Sequence, residues 1–188
     1  MHFLDVLKER GFVQDISDEN EIRKLKPPAC FYVGFDPTAP SLQIGNLVPL
    51  IASIHLAQAG LAPLILFGGS TGAIGDPSGK NEERKLLPRE VLDQNIERQV
   101  AQTKRLFEQF DLKPQFVNNL DWTKDVSVLD FLRDVGKFVT VNYMLGKEVV
   151  KNRVEAGGLS FTEFSYMLLQ AFDFVHLYQN FNCVLQIG

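Results

Sequence analysis

Cysteine is scarce in this chain. Cys30 and Cys183 are the only two, each in an apolar, strand-like run. They allow at most one bridge, which excludes the disulfide framework of a small secreted scaffold, and both are expected to be buried reduced thiols. Three scattered histidines and two cysteines show no metal-ligand spacing, so no protein-bound metal is expected. Excess positive charge is also lacking. Nineteen Lys and Arg stand against 23 Asp and Glu, a net charge of −4, which argues against a generic polyanion-binding surface but leaves room for one local basic patch. No apolar run approaches the roughly 18 residues that span a bilayer. The opening MHFLDVLKER is too charged for a signal peptide. These features predict a cytoplasmic chain with no membrane partner. There is no internal repeat, no low-complexity tract and no interdomain linker.

What is present is an alternation of buried strands and helices. The 188 residues suffice for one core, and residues 1–188 are read as a single domain. Helical patterns cover Phe3 to Arg10, with Gly11 as the stop, and Ser17 to Lys26, ended by Pro27-Pro28. Ala29 to Phe35 reads as a strand and Leu47 to Ala59 as a buried helix stopped at Gly60, where Pro49 is tolerable only in the first turn. Pro63 to Phe67 is a second strand. Pro88 opens a long helix with Leu92, Ile96, Val100, Phe107 and Phe110 along one stripe. Gln115 to Val117 is a third strand, short helices fill 127 to 156 up to Gly157-Gly158, Phe161 to Tyr178 is an apolar helix, and Cys183 to Ile187 a fourth strand. Strands separated by helices predict an α/β fold of Rossmann type, a parallel sheet with helices on both faces.

Three segments carry chemistry. Tyr32 to Asn46, YVGFDPTAPSLQIGN, is a strand that breaks at Asp36-Pro37 and leads into a helix N-terminus, the place where α/β folds put phosphates. Residues 68–80, GGSTGAIGDPSGK, are too rich in glycine for regular structure. They are neither a dinucleotide fingerprint nor a Walker A loop. Their glycines let backbone approach a ligand, or serve only a structural turn. In the helix 161 to 178, Tyr166, Gln170 and Asp173 are spaced i, i+4, i+7. They project within roughly 60° of one another, a polar stripe that either faces solvent or meets a bound polar molecule.

These three segments resemble the class I aminoacyl-tRNA synthetases, and the tyrosyl-tRNA synthetases of bacterial type in particular. Gln43-Ile44-Gly45-Asn46 stands where that class has its HIGH motif. GFDPTAPSL, the glycine-rich loop and SFTEFSYMLLQAFD match that family's wording. The resemblance covers nearly the whole chain and implies adenylation of tyrosine by ATP, with transfer to tRNA(Tyr). By that resemblance Tyr32 and Asp173 hold the phenolic hydroxyl. Asp76, Tyr166 and Gln170 hold the ammonium group, with Asn119 beside the pocket. Gly34 and Asp36 flank the nucleotide or adenylate. Thr38, Gln43 and Asn46 reach the ATP phosphates, Lys80 and Arg84 stabilise pyrophosphate, and Gln186 lies near the substrate carboxylate and ribose. ATP enters as a substrate with its Mg2+. A homodimer through the helices 128 to 164 is implied too.

Two departures stand out. Gln43 replaces the first HIGH histidine, an amide in place of a group able to make a charge-assisted bond, and Asn46 is a milder change. The 188 residues also stop short of the family's GSDQWGN segment, its KMSKS-type loop and its anticodon-recognition region. The expectation is a chain that folds, binds tyrosine weakly and does not adenylate it alone. The rival readings are a non-catalytic tyrosine-binding or dimerising module, and a HIGH-type nucleotidyltransferase with another acceptor.

Overall fold

A computed structural model describes residues 2–76 and 86–188. Lys80 and Arg84 therefore lie outside the described residues. The chain opens with α1 (Phe3–Glu9) and α2 (Glu19–Lys24), then β1 (Cys30–Phe35), α3 (Ile44–Gln58) and β2 (Ala62–Phe67). A single helical turn, α4 (Thr71–Ile74), and the long α5 (Arg89–Glu108) precede β3 (Gln115–Asn118). Four short helices follow: α6 (Leu120–Thr123), α7 (Val128–Asp134), α8 (Val141–Leu145) and α9 (Glu148–Ala156). The chain closes with α10 (Phe161–Phe181) and β4 (Cys183–Gln186).

The sheet order is β3-β2-β1-β4 and every pairing is parallel. The expected α/β Rossmann-type architecture is therefore present. Strand order reverses beside β1, because β2 and β3 run outward on one side and β4 joins on the other. In such sheets the crevice beyond the strand ends at the reversal is where ligands bind.

Alternation along β1 sorts its side chains between two layers. Phe31, Val33 and Phe35 point to the face covered by α1, α3 and α5, where they pack with Leu50, Ile54, Leu56 and Phe107. Tyr32 points to the face covered by α10, with Leu64, Leu66 and Leu177. Gly34 is on that same face, and a side chain there would meet Leu66 and Tyr32 only at ordinary contact distance, 3.7 Å. The glycine is thus not forced by close packing. What it does is leave the space between β1 and α10 unfilled.

Several expected boundaries move, each for a local reason. The N-cap of α2 is Asp18 rather than Ser17, its carboxylate accepting from the Glu21 N–H at 3.0 Å. Helix α3 begins at Ile44, three residues early, because Asn46 Oδ1 accepts from the Gln43 N–H at 2.9 Å and starts the helix there. Pro49 consequently lies past the first turn, inside the helix, against expectation. Nor is α3 buried throughout, since Leu47 and Val48 are exposed. Phe110 leaves the expected stripe of α5: it falls beyond the helix end and is 45% exposed. Among its described residues the glycine-rich segment contains one regular turn, α4. Cys30 and Cys183 are free thiols on paired residues of β1 and β4, with Cys183 buried but Cys30 only partly so.

Candidate active site

A cavity of about 500 Å³ opens at the carboxyl ends of β1 and β4, under α10. One wall is the carboxyl end of β1 and the residue just past it: Tyr32, Gly34 and Asp36 line it. The elbow after the strand supplies Thr38, Ser41 and Gln43, and the first turn of α3 supplies Asn46. Asp76 comes from the glycine-rich segment, and Gln186 from the end of β4, where it pairs in register with Tyr32. The third side is the stripe of α10, Tyr166, Gln170 and Asp173. Three segments distant in sequence thus converge. The stripe lines this cavity rather than an open helix face.

The site is heavily cross-bonded. Tyr166 Oη donates to Asp36 Oδ2 at 3.2 Å, and Thr71 Oγ1 donates to Asp36 Oδ1 at 2.7 Å. Asp173 is 3% exposed and takes one donor on each oxygen, Asn119 Nδ2 at 2.9 Å and Trp122 Nε1 at 2.8 Å. A carboxylate oxygen has a second lone pair, so Asp173 can still accept from a ligand hydroxyl. Asn119 itself is wholly buried and reaches Thr71 Oγ1 and the Ser70 N–H as well. It stands behind Asp173 rather than on the cavity wall, so its contact with any ligand is through that carboxylate.

Burial dominates the ionisation of these groups. It pushes Asp173 up to about 6, against the Asn119 and Trp122 donors, which favour the charged form; the Asp36 carboxylate raises it further. The phenols of Tyr32 and Tyr166 are raised well above their ordinary value, first by burial and then by nearby carboxylates. Both stay neutral donors at neutral pH. The cavity lining holds three aspartates, Asp36, Asp76 and Asp173, and no lysine or arginine among the described residues. Such a lining suits a ligand that brings a cationic group and a hydroxyl donor.

Residues 68–72 of the glycine-rich segment fit tightly against protein. A side chain at Gly68 would collide with Asp36 and Thr71, one at Gly69 with Asn118, and one at Gly72 with Pro37 at 2.7 Å. These three glycines therefore serve the packing that holds Asp36 and the strand ends together.

The family model for class I tRNA synthetases of the W and Y type matches residues 24–188. The chain belongs to this family. Curated relatives include a tyrosine–tRNA ligase of Syntrophus aciditrophicus, 49% identical over 98% of this chain and 43% of the relative. Another is a tyrosine–tRNA ligase of Cytophaga hutchinsonii, 50% identical over 100% of this chain and 44% of the relative. The chain thus spans under half the length of the curated relatives it matches. A solved C-terminally truncated mitochondrial tyrosyl-tRNA synthetase of Coccidioides posadasii superposes with a TM-score of 0.86 at 32% identity, over 100% of this chain and 54% of that one.

In this W-and-Y-type synthetase domain, most residues singled out in the sequence line the cavity and Asn119 lies behind it, but Trp122 and Thr71, which hold Asp173 and Asp36, were not singled out. Trp122 is the chain's only tryptophan and lies three residues after Asn119, a signal that was available. Its ring also stacks on His176, with centroids 4.2 Å apart. Thr71 and the amides of α5 that reach the elbow gave no sequence signal of their own.

Proposed function

We propose that this chain is the tyrosine- and ATP-binding part of a tyrosine–tRNA ligase. The observation that carries the reading is the α10 stripe meeting Tyr32 across a cavity floored by Gly34. In this reading the substrate phenol lies between Tyr32 and Asp173, and its ammonium group among Asp76, Tyr166 and Gln170. Gly34 and Asp36 flank the adenylate, Thr38, Gln43 and Asn46 take the triphosphate, and Gln186 lies near the carboxylate and ribose. Lys80 and Arg84 are assigned to pyrophosphate on the strength of the sequence match alone. The tyrosine–tRNA ligase relatives near 50% identity favour tyrosine over tryptophan within the family.

The chemistry asks little of the protein beyond placement. The substrate carboxylate attacks the α-phosphorus of ATP, the bond to the β-phosphate oxygen breaks, and pyrophosphate leaves with its Mg2+. The nucleophile comes from the substrate, so no activated serine, cysteine or histidine is required. Catalysis is the alignment of two anions and the stabilisation of charge on the leaving group. The whole protein would then pass the tyrosyl group to tRNA(Tyr) in the cytoplasm. Tyrosine-dependent exchange of labelled pyrophosphate into ATP, run on the protein containing the regions beyond this chain, tests the reading. Exchange driven by tyrosine and not by tryptophan is expected. Exchange driven by tryptophan, or none with either, would contradict it. The 188-residue chain alone is expected to show no appreciable exchange.

We also infer a homodimer. Large apolar side chains stand exposed along 128–161, among them Val128 at 74%, Leu129 at 79%, Phe138 at 76% and Phe161 at 76%. A monomer rarely leaves so many in one region. Sedimentation is expected to show a dimer that Phe161→Asp weakens at least tenfold, about 1.4 kcal/mol or more. A monomer at all concentrations would rule the dimer out.

A further inference from the structure

Helix α5 carries a polar row that none of the roles above uses. Asn95, Gln99 and Gln102 stand at i, i+4 and i+7, and so share one face. Asn95 is 4% exposed and Gln99 2%. Their partners are all backbone groups of the elbow between β1 and α3. Asn95 Nδ2 donates to the Pro37 carbonyl at 2.9 Å, and Gln99 Nε2 donates to the Ala39 carbonyl at 2.8 Å. Gln102 pairs twice with one residue: its Oε1 accepts from the Leu42 N–H at 2.8 Å, and its Nε2 donates to the Leu42 carbonyl at 3.3 Å.

Residues 36–43 belong to no helix or strand. A surface loop of that kind ordinarily bonds its backbone to water and stays mobile. Here one long helix bonds it at 37, 39 and 42, in chain order, as a neighbouring strand would. The bonded residues bracket Thr38 and immediately precede Gln43, two of the elbow's polar side chains on the cavity. Asn95 and Gln99 are buried on this row while Gln102 is exposed; a buried amide lowers stability unless it is bonded, and leucine at 95 or 99 would bury more apolar surface.

We infer that the amide row of α5 is a positioning device for the nucleotide elbow, setting Thr38 and Gln43 in place before ATP arrives. Its consequence for catalysis rests on the proposed function; its geometry does not. Adenylation depends on alignment, so an elbow held in advance avoids the ordering cost at the moment of binding. The bland account is that the row only stabilises the fold.

Gln102→Met, close in length and without either bond, separates the two. In the 188-residue chain, exchange of the Leu42 amide hydrogen is expected to speed about tenfold or more, as the loss of such a bond allows, while amides of β1 and β2 keep their protection. In the whole ligase, kcat/KM for ATP in pyrophosphate exchange is expected to fall on the order of ten- to a hundred-fold, with the Kd for tyrosine within about twofold. Gln99→Met should move the same parameters in the same direction. Unchanged Leu42 exchange, unchanged ATP kinetics despite a loosened elbow, or equal losses for tyrosine and ATP would each overturn the inference. A parent enzyme without tyrosine-dependent exchange would overturn the proposed function instead, and Leu42 exchange alone would then decide whether the row holds the elbow.

Discussion

Replacing Asp173 by asparagine is expected to lower kcat/KM for tyrosine in the whole ligase by about 2–3 kcal/mol while leaving phenylalanine nearly unchanged. The phenolic hydroxyl would lose a charge-assisted bond to a buried carboxylate. The variant has a second cost. Asn119 Nδ2 and Trp122 Nε1 both donate to Asp173, and an amide has one oxygen, so one of those donors is left without an acceptor. A lowered Tm should therefore accompany the lost selectivity. The pH dependence follows from the raised carboxyl. The folded-state value of about 6 stands above the ordinary 3.8, so the folded chain holds this proton more tightly than the unfolded one between those values. Stability contributed by this group is largest below about pH 4 and is lost as pH rises through 6, on the order of 2–3 kcal/mol. Tyrosine affinity moves the opposite way, falling as pH drops below 6 and the acceptor takes up a proton. Asp173→Asn should flatten both profiles. Unchanged relative kcat/KM for tyrosine and phenylalanine would remove Asp173 from the site.

Glu163→Ala is expected to be the most damaging single change to stability, about 3–5 kcal/mol. Glu163 is 1% exposed and Arg153 6%. The Arg153 Nη2 donates to both carboxylate oxygens, at 2.9 and 3.2 Å. Removing the carboxylate takes from the buried guanidinium both bonds to Glu163 and that carboxylate's charge. Glu163 also accepts from the Ser160 N–H at 3.4 Å, so the reciprocal half of the α10 capping box goes with it, while Ser160 Oγ still accepts from the backbone N–H of residue 163 at 3.2 Å. At 2–4 °C per kcal/mol, the melting point should fall by roughly 6–20 °C. The double change Arg153→Met with Glu163→Met should recover most of the loss, because an apolar pair of similar volume needs no counter-charge. A single-variant loss under about 1 kcal/mol would show that the pair is solvated in solution.

The strands and the long helices were legible because each is a run of one period bounded by a glycine, a proline or a cap. Cys30–Phe35 and Ala62–Phe67 are bounded by Pro27-Pro28, Gly60 and Gly68 in this way. The site lining was legible for a different reason: Tyr166, Gln170 and Asp173 interrupt an apolar helix at helical spacing. The supporting groups were not legible. Asn95, Gln99 and Gln102 look like the solvated face of an amphipathic helix, and only the position of the elbow shows that Asn95 and Gln99 are buried and that all three bond to it. The same holds for Arg153, whose partner lies ten residues on, across the Gly157-Gly158 turn, where both φ angles are positive. Gly68, Gly69 and Gly72 were read as letting backbone approach a ligand or serving a turn, and sequence does not say what approaches; here it is the protein's own Asp36, Asn118 and Pro37. The start of α3 was misplaced because Pro49 suggests a first turn, whereas the Gln43–Asn46 contact decides it.

Calorimetric titration of the 188-residue chain with tyrosine, phenylalanine and tryptophan at pH 7.5 and pH 5, buffer conditions of about those values chosen to straddle the Asp173 transition, tests the central assignment most directly. Weak tyrosine binding at the higher pH, reduced at the lower, with phenylalanine far weaker at both, is the predicted result. Equal binding of tyrosine and phenylalanine, or tighter binding of tryptophan, would contradict a cavity built by Tyr32 and Asp173 to read a phenol.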